Sequence, residues 1–380
     1  MKILHLSNEG LPDWRIEKYA ITALNFGHEL IFAGLKPVNY VRDTFSKLYE
    51  VNWTSKARYG IPNYWHAVKK QINNILQETR PDLVHAHNIF SARMMLEFDL
   101  PFVYDDHEYW SKQSQFLLEM EKLNKNNKTS LNKLPIDILR QTKTRIVNYH
   151  VIRLWSKWER EVVSSAPTIT VSDEIANDLK VVGNNEKVFV VPNFPMRNEI
   201  DGFEKPKFHN ELSSVYAGSD GHNKKKFPNR NIEGLFDIFY QHNIGKLMII
   251  GWTGKSNEKI RYSGFLDRQD MFNEMSNHSL GLVPWRNHWS HGYTSPNKAY
   301  EYAHAGLLVM CTDSFSTIRS TLKENCVTFE NYDDMVSKLL YFKNNMGELY
   351  QKRINIFEFA RQNLLWENFE KRIMDIYKMC

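Results

Sequence analysis

The sequence predicts an α/β protein built from two doubly wound parallel-sheet domains. Two observations carry this. Short apolar runs bounded by polar or turn residues alternate with stretches of helical period, and the series restarts after a linker holding Pro195, Gly202 and Pro206 among charged residues. Length agrees, since 380 residues exceed the size at which a single core usually stops growing. Hydrophobic residues make up 42% of the chain, enough for two cores, which argues against disorder.

In the first series, Lys2 to Leu6, Glu29 to Ala33, Asp82 to Ala86, Phe102 to Asp105, Thr168 to Val171 and Val188 to Val191 read as buried strands. Helical spacing falls at Arg15 to Phe26, Tyr64 to Thr79 and Ile175 to Val181. The first domain therefore spans 1–195, with a helical basic insertion at about 111–160. The linker is Asn193 to Asn210. After it, strands are expected at Ser214 to Ala217, Lys246 to Ile250, Ile260 to Ser263, Leu280 to Val283, Leu307 to Cys311 and Cys326 to Thr328. Helices are expected at Ile232 to Tyr240, Arg268 to Met275 and Asp333 to Lys343, which sets a second domain at 210–350. The tail 351–380 is helical by pattern and is expected to cross back over the domains. Such sheets bind ligands outside the carboxyl ends of their strands, so chemistry is expected in the loops after strands, around an interdomain cleft.

Composition narrows the class of function. Cys311, Cys326 and Cys380 have no metal-ligand spacing and form no even framework, which fits a reducing, cytoplasmic setting. Met1 to Leu6 is too short for a signal-peptide core, and no apolar run approaches the ~18–20 residues of a membrane helix. The net charge of +5 is uneven: Lys112 to Arg160 holds 11 basic and 4 acidic residues, so the rest of the chain is slightly acidic. That balance and the lack of a recognised module argue against nucleic acid as a partner. There is no Gly-rich dinucleotide fingerprint after Leu6, no triphosphatase phosphate loop and no Gly-x-Ser-x-Gly elbow. Hydride transfer, phosphoryl transfer and serine hydrolysis lose ground.

Four constellations remain. In Ser295 to Gly306, Ser295 is placed to cap a helix, Pro296 to open it and Gly306 to end it before an apolar strand. The N–H groups of Ser295, Asn297 and Lys298 and the positive dipole end that opens at Pro296 suit a diphosphate, and Glu301 suits a ribose diol; an ordinary capped core helix is the alternative. Upstream, Lys225 and Arg230 in a basic loop after the strand ending at Ala217 could clamp a diphosphate, or the lysines 224–226 could be a solvated run. His107 follows a strand end and could hydrogen-bond a hydroxyl, or be satisfied by a backbone carbonyl. His85 and His87 alternate on one strand face, yet no third ligand of matching spacing appears, and the same holds for His288 and His291, so no metal is expected. The basic segment 112–160 mixes apolar, aromatic and cationic residues at helical spacing, which suits anionic lipid headgroups or an acidic acceptor, or a merely solvated face.

With these pieces in order, the chain resembles the GT-B glycosyltransferases, and within them glycosyltransferase family 4. The resemblance is carried by Gly27-His28-Glu29-Leu30, Asp82 to Asn88, Tyr104 to Tyr109, Ala166 to Ser172, Val190 to Asn193, Tyr216-Ala217-Gly218, Ile249-Ile250-Gly251 and Pro296 to Gly306. It implies two Rossmann-like domains, an acceptor held by the first, a nucleotide sugar held by the second, and transfer with retention of anomeric configuration. By this likeness Glu301 matches the second Glu of the family's Glu-seven-residues-Glu motif, whose first Glu falls at Tyr293; Asn297 or backbone N–H groups near Thr294 and Ser295 are left to hold the sugar. Lys225 and Arg230 match the basic pair on the diphosphate, and His107 the acceptor-domain histidine. Gly218, Gly251, Phe265 and Leu266 take places that line the donor. The resemblance implies a metal-independent enzyme without a cofactor, acting on a glycan or lipid-linked acceptor in surface polysaccharide or glycolipid synthesis. Its alternatives are a nucleotide-sugar epimerase of the same fold and a degenerate, non-catalytic binding member.

Overall fold

In a computed structural model, residues 1–38, 40, 43–120, 135–218 and 228–380 are described; Lys224, Lys225 and Lys226, and residues 121–134 of the basic segment, lie outside the described residues. Most of the strands form where apolar runs can be buried on both faces. β1 (Lys2–Gly10), β2 (Glu29–Leu35), β3 (Lys47–Glu50), β4 (Leu83–His87), β5 (Phe102–Asp106), β6 (Thr168–Thr170) and β7 (Val188–Val190) make one parallel sheet in the order β3-β2-β1-β4-β5-β6-β7. β8 (Ser213–Ala217), β9 (Lys246–Ile250), β10 (Ile260–Gly264), β11 (Leu280–Val283), β12 (Leu308–Thr312) and β13 (Cys326–Phe329) make a second, in the order β10-β9-β8-β11-β12-β13. Both orders are doubly wound, with the direction of winding reversing between β1 and β4 and between β8 and β11.

The chain divides into two units, Met1–Pro192 with Phe369–Cys380, and Asn193–Asn368. The tail expected at 351–380 divides accordingly: helix Met346–Asn363 lies in the second unit and helix Glu370–Tyr377 in the first. In the first unit, helix Trp14–Asn25 begins where the Asp13 carboxylate accepts from the N–H groups of Arg15 and Ile16. It buries Ile16, Tyr19, Ala20 and Ala23, each fully desolvated side chain the size of Ile contributing about 1.5–3 kcal/mol. Helix Pro135–Ser165 occupies much of the basic segment and leaves Lys143, Arg145, Ile146, Tyr149, Arg153 and Lys157 exposed. β3 escapes the sequence pattern because it is an edge strand with largely exposed residues, so it has no apolar run to read.

In the second unit, helix Asn297–His304 is held on the sheet by two close fits. Gly281 has no Cβ, and one would run into the Tyr302 ring. That ring lies flat enough on the strands for its hydroxyl to accept from the Ala217 N–H at 2.7 Å. Gly306 ends the helix at φ 70°, and a side chain there would meet Pro206. The helix start differs from expectation. Pro296, not Ser295, is the N-cap residue, and no side chain caps the helix. The Ser295 hydroxyl is instead 2.7 Å from the Tyr300 hydroxyl, so it is already used.

Candidate active site

In the second unit the carboxyl ends of β8 and β11 carry the groups expected to meet a donor. The Trp285 indole, two residues past β11, donates to the Tyr216 hydroxyl at 2.9 Å. Its orientation lets it collect cations. The Lys298 ammonium lies 4.4 Å from the Tyr216 ring centroid and 4.6 Å from that of Trp285, and the Arg230 guanidinium lies 5.4 Å from Trp285. Each such contact stabilises a fixed cation by about 0.5–2 kcal/mol without neutralising it. Arg230 is exposed and ends the short turn Pro228–Arg230.

That turn is held by a residue considered in the sequence only as a metal ligand. His291 is buried, and its Nε2–H donates to the Asn229 carbonyl at 2.6 Å while Nδ1 is 2.8 Å from the Ser314 hydroxyl. Burial pushes its pKa down to about 4, so it acts as a neutral strut. Its ring stacks on Phe315 with centroids 4.0 Å apart.

Glu301 follows Lys298 by one turn. Its Oε1 accepts from Arg268 Nη1 at 2.7 Å, and Arg268 also contacts Glu199. Burial opposes the charge of Arg268, and the carboxylates of Glu301 and Glu199 override it, so the guanidinium is held above its ordinary range. Gly218 and Gly251 are joined at the strand ends: the Gly218 N–H donates to the Ile250 carbonyl, the Gly251 N–H to Gly264, and the Trp252 indole to the Gly218 carbonyl. Gly251, at φ 100°, makes a turn that a side chain would strain. Phe265, 87% exposed, and the half-buried Leu266 lie in the loop between β10 and Arg268. The structure thus brings Arg230 and Lys298 to the Trp285 ring, with Glu301 one turn beyond Lys298 on its helix and Asn297 exposed at the helix start. Tyr293 closes the turn Trp289–Tyr293 just before it.

In the first unit, His107 is part of a buried polar chain. Asp105 is fully buried and accepts from Arg15 Nη2 at 2.7 Å and Nε at 2.9 Å, and from Nδ1 of His87 and of His107, each at 3.2 Å. Arg15 also donates to the Val191 carbonyl and the Tyr19 hydroxyl. Burial alone would raise the Asp105 pKa, and Arg15, His107 and His87 together hold it well below the usual carboxylate range. Burial likewise works against a charged His107, and Asp105 overrides it, so this imidazole titrates above an ordinary histidine rather than staying simply neutral. With Nδ1–H committed to Asp105, Nε2 is the atom left for a ligand. The backbone around it is strained, with φ 48° at Tyr109 and 68° at Asn88, and the Trp110 indole donates to Asn88 Oδ1 at 2.9 Å.

The third imidazole that the local sequence lacks comes from another strand. Register pairs His5 on β1 with His85 on β4, and one nitrogen each of His5, His85 and His87 lie within 4.8 Å of one another. Spacing of ligands along the sequence could not show this. Since His87 Nδ1–H donates to Asp105, its Nε2 accepts, and His5 Nδ1 donates to it at 3.0 Å. His85 Nδ1 shares a 2.7 Å hydrogen bond with the Tyr377 hydroxyl. Burial lowers the pKa of all three, so they are neutral. As placed, His5 Nδ1 is bonded to His87 Nε2 and His85 Nδ1 to the Tyr377 hydroxyl, so these nitrogens form part of a hydrogen-bonded chain. Two further carboxyl groups are also buried: Glu159 accepts from the Tyr104 hydroxyl and the Ser111 N–H, and burial next to Glu159 raises the Asp106 pKa.

Two doubly wound parallel sheets in one chain define the GT-B class of fold. Residues 27–194 match the model of Glycosyltransferase Family 4. Solved structures similar over the whole chain include sucrose-phosphate synthase from Thermosynechococcus elongatus, at TM-score 0.68 and 10% identity over 100% of this chain and 99% of that one. Anabaena HepE in complex with UDP-glucose aligns at TM-score 0.66 and 11% identity over 100% of both chains. WaaG, a glycosyltransferase involved in lipopolysaccharide biosynthesis, aligns at TM-score 0.62 and 14% identity over 98% of this chain and 99% of that one. No curated protein sequence matches the chain significantly. The chain has the GT-B fold of the glycosyltransferases, and its residues 27–194 carry the family 4 match.

Proposed function

We propose that the protein is a retaining glycosyltransferase that moves a sugar from a nucleoside-diphosphate sugar to a hydroxyl of a glycan or lipid-linked acceptor, in surface polysaccharide or glycolipid synthesis. The observation that carries this is the fixed pair of cations, Lys298 and Arg230, on the Trp285 indole just past the carboxyl end of β11, with Lys298 one helical turn before Glu301. A diphosphate leaving group needs stabilised negative charge, and preorganised cations supply it without reorganising during the reaction. The UDP-glucose complex of HepE supports a donor of this chemical class.

In the proposed reaction the acceptor oxygen bonds to the anomeric carbon on the face from which the diphosphate departs. The carbon–oxygen bond to phosphate breaks, its electron pair leaves with the diphosphate, and the acceptor proton passes to a diphosphate oxygen. Arg230 and Lys298 stabilise the growing charge, Glu301 holds the ribose diol, and Lys225 adds a further cation. His107, oriented by Asp105, takes its place against the acceptor through Nε2. The reaction as proposed needs no metal ion.

The test is a thermal-shift series with UDP, GDP, ADP and their sugars, run on the wild type and on Glu301→Ala, because binding to the native state alone raises apparent stability. A shift for one nucleotide that Glu301→Ala weakens is the expected result. No shift with any nucleotide sinks the donor reading, and donor consumed without an acceptor would turn it toward an epimerase.

A further inference from the structure

We propose that Arg268 is a positioning residue for the nucleotide's ribose: it holds Glu301 by one oxygen, leaving the other for the diol, and ties that grip to the loop from Gly264 to Asp267. The inference rests on the donor-site reading above. Three donors of one guanidinium are divided between two carboxylates. Nε and Nη2 reach Glu199 Oε1 and Oε2 at 3.0 and 3.3 Å, and Nη1 reaches Glu301 Oε1 at 2.7 Å.

Charge compensation alone does not require this. The two-pronged pair with Glu199 already balances the guanidinium, and Glu199 is itself fixed by accepting the Met196 N–H at 2.8 Å. The third hydrogen bond adds a second carboxylate, so Glu199, Arg268 and Glu301 together carry one net negative charge. Their side chains are 8%, 24% and 14% exposed, so this charge sits in a largely desolvated place. A surplus acceptor there suits a neutral polyol that donates two O–H bonds.

The position of Arg268 in the chain adds a second link. It is the first residue of helix Arg268–Ser276, whose cap is the Asp267 carboxylate accepting the Asp270 N–H at 2.9 Å. The loop carrying Phe265 and Leu266 therefore ends on the residue that orients Glu301. Stacking over Phe272, 5.2 Å from the ring centroid, further limits the guanidinium's rotamers. Ordering of the loop and orientation of the carboxylate depend on one side chain.

The experiment measures dissociation constants of UDP, GDP and ADP and of their 2′,3′-dideoxy counterparts on wild type, Arg268→Ala, Arg268→Lys, Glu301→Ala and the Arg268→Ala/Glu301→Ala double variant. Melting temperatures without ligand serve as the folding control. For the nucleotide that binds, Arg268→Ala is expected to weaken the ribonucleotide about tenfold, the scale of one charge-assisted hydrogen bond, and to leave the dideoxy form within about twofold. Arg268→Lys recovers only part of the loss, because an ammonium cannot span both carboxylates. The double variant is no weaker than Glu301→Ala alone.

Equal weakening of both nucleotides by Arg268→Ala overturns the proposal, because Arg268 would then act on the phosphates or on the fold. Tighter binding by Arg268→Ala also overturns it, by making Arg268 a competitor for Glu301. If Glu301→Ala weakens binding and Arg268→Ala does not, this inference alone fails. If no diphosphate binds the wild type, the donor reading fails and takes this inference with it.

Discussion

Replacing Asp105 by Asn is the most direct test of the buried chain in the first unit. The substitution keeps the shape and removes the charge that faces the buried guanidinium of Arg15 through bonds of 2.7, 2.9 and 3.1 Å. Neutralising one member of a fully buried pair leaves the other uncompensated, which costs about 3–5 kcal/mol. Against a typical total of about 5–15 kcal/mol, that loss is large enough to shift a denaturation midpoint well outside error. The companion variant Arg15→Met/Asp105→Asn removes both charges and should regain most of the loss. A second readout follows His107. Without the carboxylate that raises it, its titration followed by NMR should drop to or below an ordinary histidine's, about 6.5. Chemical denaturation checks the energies. A loss under about 1 kcal/mol for Asp105→Asn, or a double variant no better than the single, would refute the view that Asp105 is held as a carboxylate by Arg15 and governs His107.

Acid should destabilise the first unit through its neutral histidines. The folded pKa values of His5, His85 and His87 are lowered, so below about pH 6.5 the unfolded chain binds more protons, and stability falls as pH falls toward the folded pKa values. The slope is up to about 1.4 kcal/mol per pH unit for each histidine fully involved, and His85→Gln should flatten it; equal slopes in wild type and variant would contradict the burial argument. His107 has the opposite sign: its raised pKa adds stability that is complete below about pH 6.5 and is lost as pH rises through the folded value. For the proposed transfer, excess EDTA should leave the rate unchanged, whereas strict dependence on a divalent cation would contradict leaving-group stabilisation by Arg230 and Lys298. The exposed cations Lys143, Arg145, Arg153 and Lys157 beside Ile146 and Tyr149 are expected to bind anionic phosphatidylglycerol vesicles. Changing all four cations to Glu should abolish co-sedimentation, and undiminished binding would remove a membrane role for this face.

Most of the architecture was legible because buried parallel strands are short apolar runs, as at Leu280–Val283, which the sequence pattern and the structure bound identically. Lys47–Glu50 was not, since an edge strand needs no apolar run. Local rules also misplaced the start of helix Asn297–His304. Ser295 before Pro296 satisfies every preference for an N-cap, yet the Tyr300 hydroxyl, five residues on in that helix, competes for its side chain. Propensity describes what a residue does without such a competitor.

The sites divide along the same line. His107, Arg230, Lys298 and Glu301 could be put forward as candidates because each follows a strand end or lies at the start of a helix, where doubly wound sheets present ligand-binding groups. Their supports were not readable, because they come from elsewhere in the chain: Arg15 reaches Asp105 across 90 residues, His5 reaches His87 across 82, and Arg268 reaches Glu199 across 69. Strand order makes the second pair meet, by setting β1 beside β4, while Arg15 reaches Asp105 on β5 from helix Trp14–Asn25. Burial then makes such contacts compulsory, since an unpaired charge at Asp105 or Arg15 would be too costly to keep. The polar residues that a strand pattern registers as interruptions, His5, His85, His87 and Asp105, are therefore the ones whose partners the topology must supply. A buried polar residue inside an otherwise apolar strand is accordingly a prediction that a distant, complementary side chain exists.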